Sequence, residues 1–261
     1  MNKNEKEMLE ILRKGKEEYG YLGVKSEFEA EGTRVDEFLR VLEVTRRADL
    51  NVGLKIGGCE AIRDLLEARQ FGVDYIIAPM VETPYALTKY LEAVERTHSP
   101  EDRAETSFLF NIETITAFNN LDGLIDVASQ SDIKPGVVFG RVDFSISNDM
   151  GRGKINTEEV QDYVRIVAQK CKDNNLNLVV GGGVSNEALP SLQSIKAIRL
   201  DRFETRKIIF DANKLSDASI EKGLLAAVHF EILWLENKRA YYKNISMEDE
   251  TRIEMLKSRW T

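Results

Sequence analysis

Short β-rich runs alternate with longer amphipathic runs along most of the chain. The β-rich runs are GVKSEFEA (23–30), NVGLKIG (51–57), VDYIIAPM (73–80), TSFLFNIET (106–114), PGVVFGRVDFS (135–145), NLNLVVGGG (175–183) and IKAIRLD (195–201). Between them, apolar residues recur at helical spacing over 35–47, 60–70, 83–95, 114–128, 157–172 and 185–194. Strands joined through helices run parallel, because each return needs a crossover. Seven or eight such units favour a closed (β/α)8 TIM barrel over an open doubly wound sheet. A length of 261 residues suits one such barrel. No GxGxxG follows the first strand, which counts against a dinucleotide-binding sheet.

The C-terminal part departs from this alternation. Ser219 to Tyr242 carries Leu224, Leu225, Val228, Ile232, Leu235 and Tyr242 near helical spacing, and a second short helix is expected over Met247 to Trp260. A single barrel domain over 1–261 with a helical hairpin over 217–261 is the expected organisation. The hairpin's apolar faces exceed what one barrel needs. It docks either on a neighbouring subunit of a homo-oligomer or on the chain's own barrel, and both readings stay open.

Composition narrows the function classes. The net charge of −8, with no lysine or arginine run, makes nucleic acid and anionic membrane surfaces poor partners. Cys59 and Cys171 are too few for a disulfide framework and form no metal cluster, which fits a reduced, cytoplasmic setting. The N-terminal MNKNEKEMLEILRKGKEE lacks the apolar centre of a signal peptide. No stretch approaches the ~18 apolar residues of a membrane span.

In a barrel, alternate strand residues point inward, and the C-terminal strand ends build the active site. In TSFLFNIET, Leu109, Asn111 and Glu113 share a face, so Glu113 is expected inward at the strand end. In PGVVFGRVDFS, Arg141 and Asp143 share a face near the next strand end. Two carboxylates converging there repel unless one is protonated or a cation joins them. Oxygen ligands on a rigid frame suit Mg²⁺ or Mn²⁺. Either acid alone reads equally well as a helix cap or a salt-bridge partner.

The segments APMVETPYAL, FNIETITAFNNLDGLID and VVFGRVDFSISNDMG resemble three consecutive blocks of the HpcH/HpaI aldolase and citrate lyase family, over roughly residues 50 to 185. The resemblance implies a metal-dependent carbon–carbon lyase, a class II pyruvate-type aldolase joining or cleaving a pyruvate enolate and a polar aldehyde. It implies Glu113 and Asp143 as metal ligands. The amides of Gly140, Arg141 and Val142 match the segment that holds the pyruvoyl carboxylate. Where the family carries an arginine on the second strand, this chain has Lys55, which keeps the charge and loses the bidentate fork. Lys55 is expected to bind the substrate carboxylate or to form an interior ion pair with Glu29 or Glu113. The family's acid/base histidine has no counterpart, since His98 and His229 lie elsewhere. Lys25, Glu27 and Glu29 share a face of the first strand, so Lys55, Glu27 and Glu29 are the catalytic candidates.

Other features are less specific. VVGGGVSNEAL is either an anion-binding loop or a tight strand-to-helix turn. Arg202, Arg206 and Lys207 either bind an anionic substrate group or pair with local acids. Cys59 near the site is a small packed residue rather than a nucleophile. The rival functions are a citrate-lyase-like acyl-CoA thioester lyase, a Schiff-base aldolase using Lys55 or Lys25, and a non-catalytic binding barrel.

Overall fold

The computed structural model describes residues 1–260. Helix α1 (Lys3–Lys14) opens the chain, capped by Asn2, whose side chain accepts from the Glu5 amide while Glu5 reaches back to the Asn2 amide. It continues through a wide turn (Gly15–Tyr19) into β1 (Tyr21–Glu27). There follow α2 (Val35–Arg47), β2 (Asn51–Lys55), α3 (Ile62–Phe71), β3 (Tyr75–Ala78), α4 (Pro84–Thr97), α5 (Pro100–Glu105) and β4 (Ser107–Ile112). Next come α6 (Ile115–Asn119), α7 (Leu121–Gln130), β5 (Gly136–Gly140), α8 (Arg141–Ser147), α9 (Glu158–Asp173) and β6 (Leu178–Gly181). The chain finishes with α10 (Leu189–Lys196), β7 (Arg202–Glu204), β8 (Ile208–Asp211) and α11 (Ile220–Trp260). As the Thr83-Pro84 pair predicts, Thr83 caps α4 by accepting from the Ala86 amide, with Pro84 at the first helical position.

The eight strands close into a barrel in chain order. Strands β1 to β7 are parallel to their neighbours. Strand β8 is antiparallel to both β7 and β1. This departs from the all-parallel barrel expected. The segment 195–201, expected as the seventh strand, is the end of α10 and the turn after it. The seventh and eighth strands instead form a hairpin within DRFETRKIIF, with Thr205, Arg206 and Lys207 as its turn.

Strand parity sorts the side chains. Phe108, Phe110 and Ile112 pack outward with the main core, while Ile77, Leu109, Val138 and Val179 form a separate apolar layer inside the barrel, flanked by Tyr75. Above that layer the inward positions turn polar: Lys25, Glu27, Lys55, Asn111 and Glu204 are all buried and face one cavity.

Because β8 runs downward, the chain leaves the barrel at its N-terminal rim. Helix α11 then climbs back along the outside. The hairpin expected at 217–261 is one continuous helix over its described length, and the expected break between Tyr242 and Met247 does not occur. Its first four turns bury Ile220, Leu224, Ala227, Phe230, Leu233 and Trp234 against the chain's own barrel and α1. Tyr21 locks this seam by donating its hydroxyl to the Gly223 carbonyl at 2.6 Å. At 41 residues α11 is about 60 Å long, and every residue from Lys243 to Trp260 is exposed. Just before them the half-buried Tyr242 donates to Glu37 and stacks under Arg34. No helix among the described residues is long and apolar enough to cross a membrane.

Candidate active site

The C-terminal mouth of the barrel opens into a cavity of about 640 Å³. Glu113 follows β4 directly and is 2% exposed. Its carboxylate is held by three donors: the Met80 amide at 3.0 Å, the Asn111 amide nitrogen at 2.6 Å and the Lys55 ammonium at 3.2 Å. The Met80 amide reaches it because Met80 adopts a left-handed backbone with φ of 50°, a costly conformation for a side chain of this size. Gly140 completes the wall. A Cβ there would lie 2.9 Å from the Glu113 Cβ and 3.1 Å from its Oε2, so glycine is what lets β5 pass this close.

The residues expected on a strand over 135–145 split in two. Strand β5 stops at Gly140, and Arg141 to Ser147 wind into α8. Arg141 and Asp143 therefore do not share an inward strand face. Arg141 is 1% exposed and ties down the neighbouring loop, donating to the Gly181 and Gly182 carbonyls and to Asn156 Oδ1. Asp143 sits in the first turn of α8, exposed to the cavity, and no protein donor among the described residues reaches its carboxylate. Partial burial and the nearby Glu113 carboxylate raise its pKa. The first amides of α8 have no partner within the helix, and a Cβ on Gly182 would approach those of Arg141 and Val142 to 2.8 and 2.7 Å.

Lys55 forms both interior ion pairs that the sequence allows. Its ammonium lies 3.2 Å from Glu113 and 3.1 Å from Glu29 Oε2, the latter a charge contact without hydrogen-bonding geometry. Burial alone would lower the Lys55 pKa, but Glu113 and Glu29 outweigh it and leave it raised. Lys25 behaves alike: burial opposes its charge, while Glu204 and Glu27 raise its pKa. Glu27 thus belongs to a Lys25–Glu204 cluster, whereas Glu29 lies beyond the end of β1 at the cavity edge.

Glu204 was missed in the sequence because the seventh strand was expected earlier. The alternation in Arg202-Phe203-Glu204, with Phe203 in the outer core, is the signal that points it inward. The basic cluster pairs locally. Arg206 and Lys207 both bind Glu31, and Arg202 stacks over Tyr75 at 4.4 Å. Cys59 lies outside the cavity lining, with its thiol pushed up by burial. His98 is buried beside Thr97 and Phe108, away from the site, and His229 faces Glu7 on α1.

Among the described residues, no three His, Cys, Asp or Glu side chains are grouped as a ready-made metal site. The donor chemistry nonetheless suits a hard cation. Six carboxylates (Glu27, Glu29, Glu113, Asp143, Glu204, Glu231) and four cations (Lys25, Lys55, Arg152, Arg206) line the cavity, a surplus of two negative charges. The Asn111 carbonyl oxygen is buried without a donor. Its orientation follows from chemistry, because the Glu113 carboxylate accepts and so must face the amide nitrogen.

A family model described as HpcH/HpaI aldolase/citrate lyase matches residues 30–189. No curated protein matches the chain by sequence. An HpcH/HpaI aldolase from Desulfitobacterium hafniense DCB-2 superposes with a TM-score of 0.61 at 14% identity, over 76% of this chain and 82% of that one. An HpcH/HpaI aldolase/citrate lyase family protein from Burkholderia cenocepacia J2315 gives 0.62 at 11% identity, over 93% and 90%. The citrate synthase SbnG gives 0.59 at 16% identity, over 86% and 88%. At these identities the structural likeness speaks to the fold.

Proposed function

Since this chain belongs to the HpcH/HpaI aldolase/citrate lyase family, whose members are lyases and typically metal-dependent, we propose that it makes or breaks a carbon–carbon bond next to a pyruvoyl unit, with a polar aldehyde as the second partner. The observation that carries the proposal is Glu113 and Asp143 on adjacent barrel segments, facing one cavity beside Lys55. Glu113 and Asp143 would hold Mg²⁺ or Mn²⁺, with the remaining positions left to water and substrate oxygens. The ion's contribution is Lewis acidity toward an enolate.

The chain's own groups supply the rest. Met80 and Asn111 hold the Glu113 carboxylate in one orientation. The amides of Gly140, Arg141 and Val142 bind the pyruvoyl carboxylate, and Lys55 offers it a positive charge. Glu29, the freest acid beside Lys55 with its side chain 23% exposed, moves the proton at the substrate hydroxyl. Glu27, locked to Lys25, is the poorer proton carrier. A Schiff-base mechanism requires a neutral amine, and the acids around Lys55 and Lys25 hold both as ammonium.

The test is exchange of the pyruvate methyl protons in D₂O. Exchange should require added Mg²⁺ or Mn²⁺ and fall about a hundredfold or more in Glu113→Gln and in Asp143→Asn. Metal-independent exchange, or none in the presence of either ion, would sink the proposal.

A further inference from the structure

Glu113 and Asp143 come from different elements, so their separation is set by whatever joins those elements. Three segments meet at this part of the rim: the loop from β3 to α4, which carries Met80 and Glu82, the turn from β4 into α6, and α8. The last pair of the β4–β5 ladder is Ile112 with Phe139, so the sheet itself stops short of both carboxylates. Beyond it, side chains make the joints.

Ser147 makes the joint to α8. It lies one turn after Asp143, and the two share a face of that helix. Its hydroxyl accepts from the Ile115 amide at 2.9 Å and donates to the Phe144 carbonyl at 3.0 Å. The Ile115 amide opens α6 and has no partner within that helix. Among the described residues this is the one hydrogen bond between 113–119 and α8. Phe144 supplies the apolar half of the joint, packed among Phe118, Phe139 and Tyr163. On the other flank, Thr114 donates its hydroxyl to Glu82 Oε1 at 2.7 Å, and Asn120 donates its side-chain amide to the Glu82 carbonyl at 2.9 Å. Glu82 stands two residues after Met80, whose amide holds the Glu113 carboxylate. The two residues that follow Glu113 therefore fasten it to both neighbours, Thr114 to the β3–α4 loop and Ile115 to α8. Glu82, Thr114, Ile115 and Ser147 all lie outside the cavity lining, so they can act only through the residues they hold.

We infer that Ser147 and Glu82 are positioning residues that fix the separation of Glu113 and Asp143 for a divalent cation. The inference rests on the metal reading above. Glu113 repels Asp143, and no protein hydrogen bond steadies the Asp143 carboxylate, so the seating of α8 decides where that carboxylate stands. A cation binds more tightly when its ligands are held apart at the right distance before it arrives. Releasing either joint lets the two acids move apart and makes the ion bear the cost of bringing them back.

The test is titration of the full-length, substrate-free protein with Mn²⁺, read by the electron paramagnetic resonance signal of the free ion, with thermal midpoints measured in parallel. Ser147→Ala and Glu82→Ala should each weaken Mn²⁺ binding about tenfold or more. Ser147→Thr keeps the hydroxyl and should restore most of the affinity. Glu82→Gln loses the charge but keeps an oxygen for Thr114, and should bind nearly as the unaltered protein does. Val44→Ala opens the buried face of α2, which packs on β1 and β2 across the barrel from β5. It should lower the midpoint and leave Mn²⁺ affinity alone, which separates positioning from general loss of stability. Unchanged affinity in both alanine variants at the rim, or equal weakening in Val44→Ala, would overturn the inference while leaving the metal reading intact. Failure of the unaltered protein to bind Mn²⁺ would overturn both.

Discussion

At the scale of single residues, the site depends on groups that do not themselves react. Gly140→Ala would push a methyl to 2.9 Å from the Glu113 Cβ. The barrel should still fold, and the metal affinity read by titration should fall about 10- to 100-fold as Glu113 is displaced. Arg141→Met should act through stability, because it strands the buried Gly181 carbonyl and removes the donor of the half-buried Gly182 carbonyl. A loss of about 1–3 kcal/mol is expected in urea unfolding; an unchanged midpoint would contradict this. His98 gives the pH dependence a definite sign. Burial lowers its pKa from 6.5, with Asp102 opposing, so the folded protein resists a proton that the unfolded chain accepts. Its stability contribution is complete above pH 6.5 and is lost as pH falls from there through the lowered folded value. Replacing His98 with Phe should flatten the acid limb of the unfolding midpoint between pH 7.5 and 5.

At the scale of elements, most of the barrel was legible because its period-2 and period-3.6 runs are long and distinct. Helix α2 falls where its apolar spacing puts it, over Val35–Arg47, and Glu113 points inward by strand parity alone. The misreadings have physical causes. RVDFSIS alternates like a strand, yet its buried set is Arg141, Phe144 and Ser145, a helical spacing that shows only once one knows which residues are covered. Gly140, at φ −92° and ψ 91°, ends the strand there. IKAIRLD is rich in strand-forming residues, but Pro190 starts a helix ahead of it that absorbs Ile195 and Lys196. The eighth strand offers only Ile208, Ile209 and Phe210 as apolar signal, and no local pattern reveals its direction. The sharing of Lys55 between Glu29 and Glu113, too, is invisible to pattern, because it arises only when three separate strand ends meet.

On the scale of the whole molecule, α11 divides into a part that supports the barrel and a part that does not. Trp234→Ala, at 5% exposure, should cost about 3–5 kcal/mol of stability. Among the described residues, truncation after Asn244 removes only exposed ones and should leave the thermal midpoint unchanged; a fall of several degrees would show that the distal helix is covered in solution. The reversed eighth strand has a kinetic consequence. In an all-parallel barrel each new strand waits for a helical crossover, and closure waits for the last of them. Here β8 is joined to β7 through three residues, so its pairing with β7 closes a very short loop at small entropic cost. The costly event is the meeting of β8 with β1, which joins the two ends of the barrel sequence. Mutations along the β1–β8 seam should therefore slow refolding, while mutations confined to the β7–β8 turn should chiefly hasten unfolding.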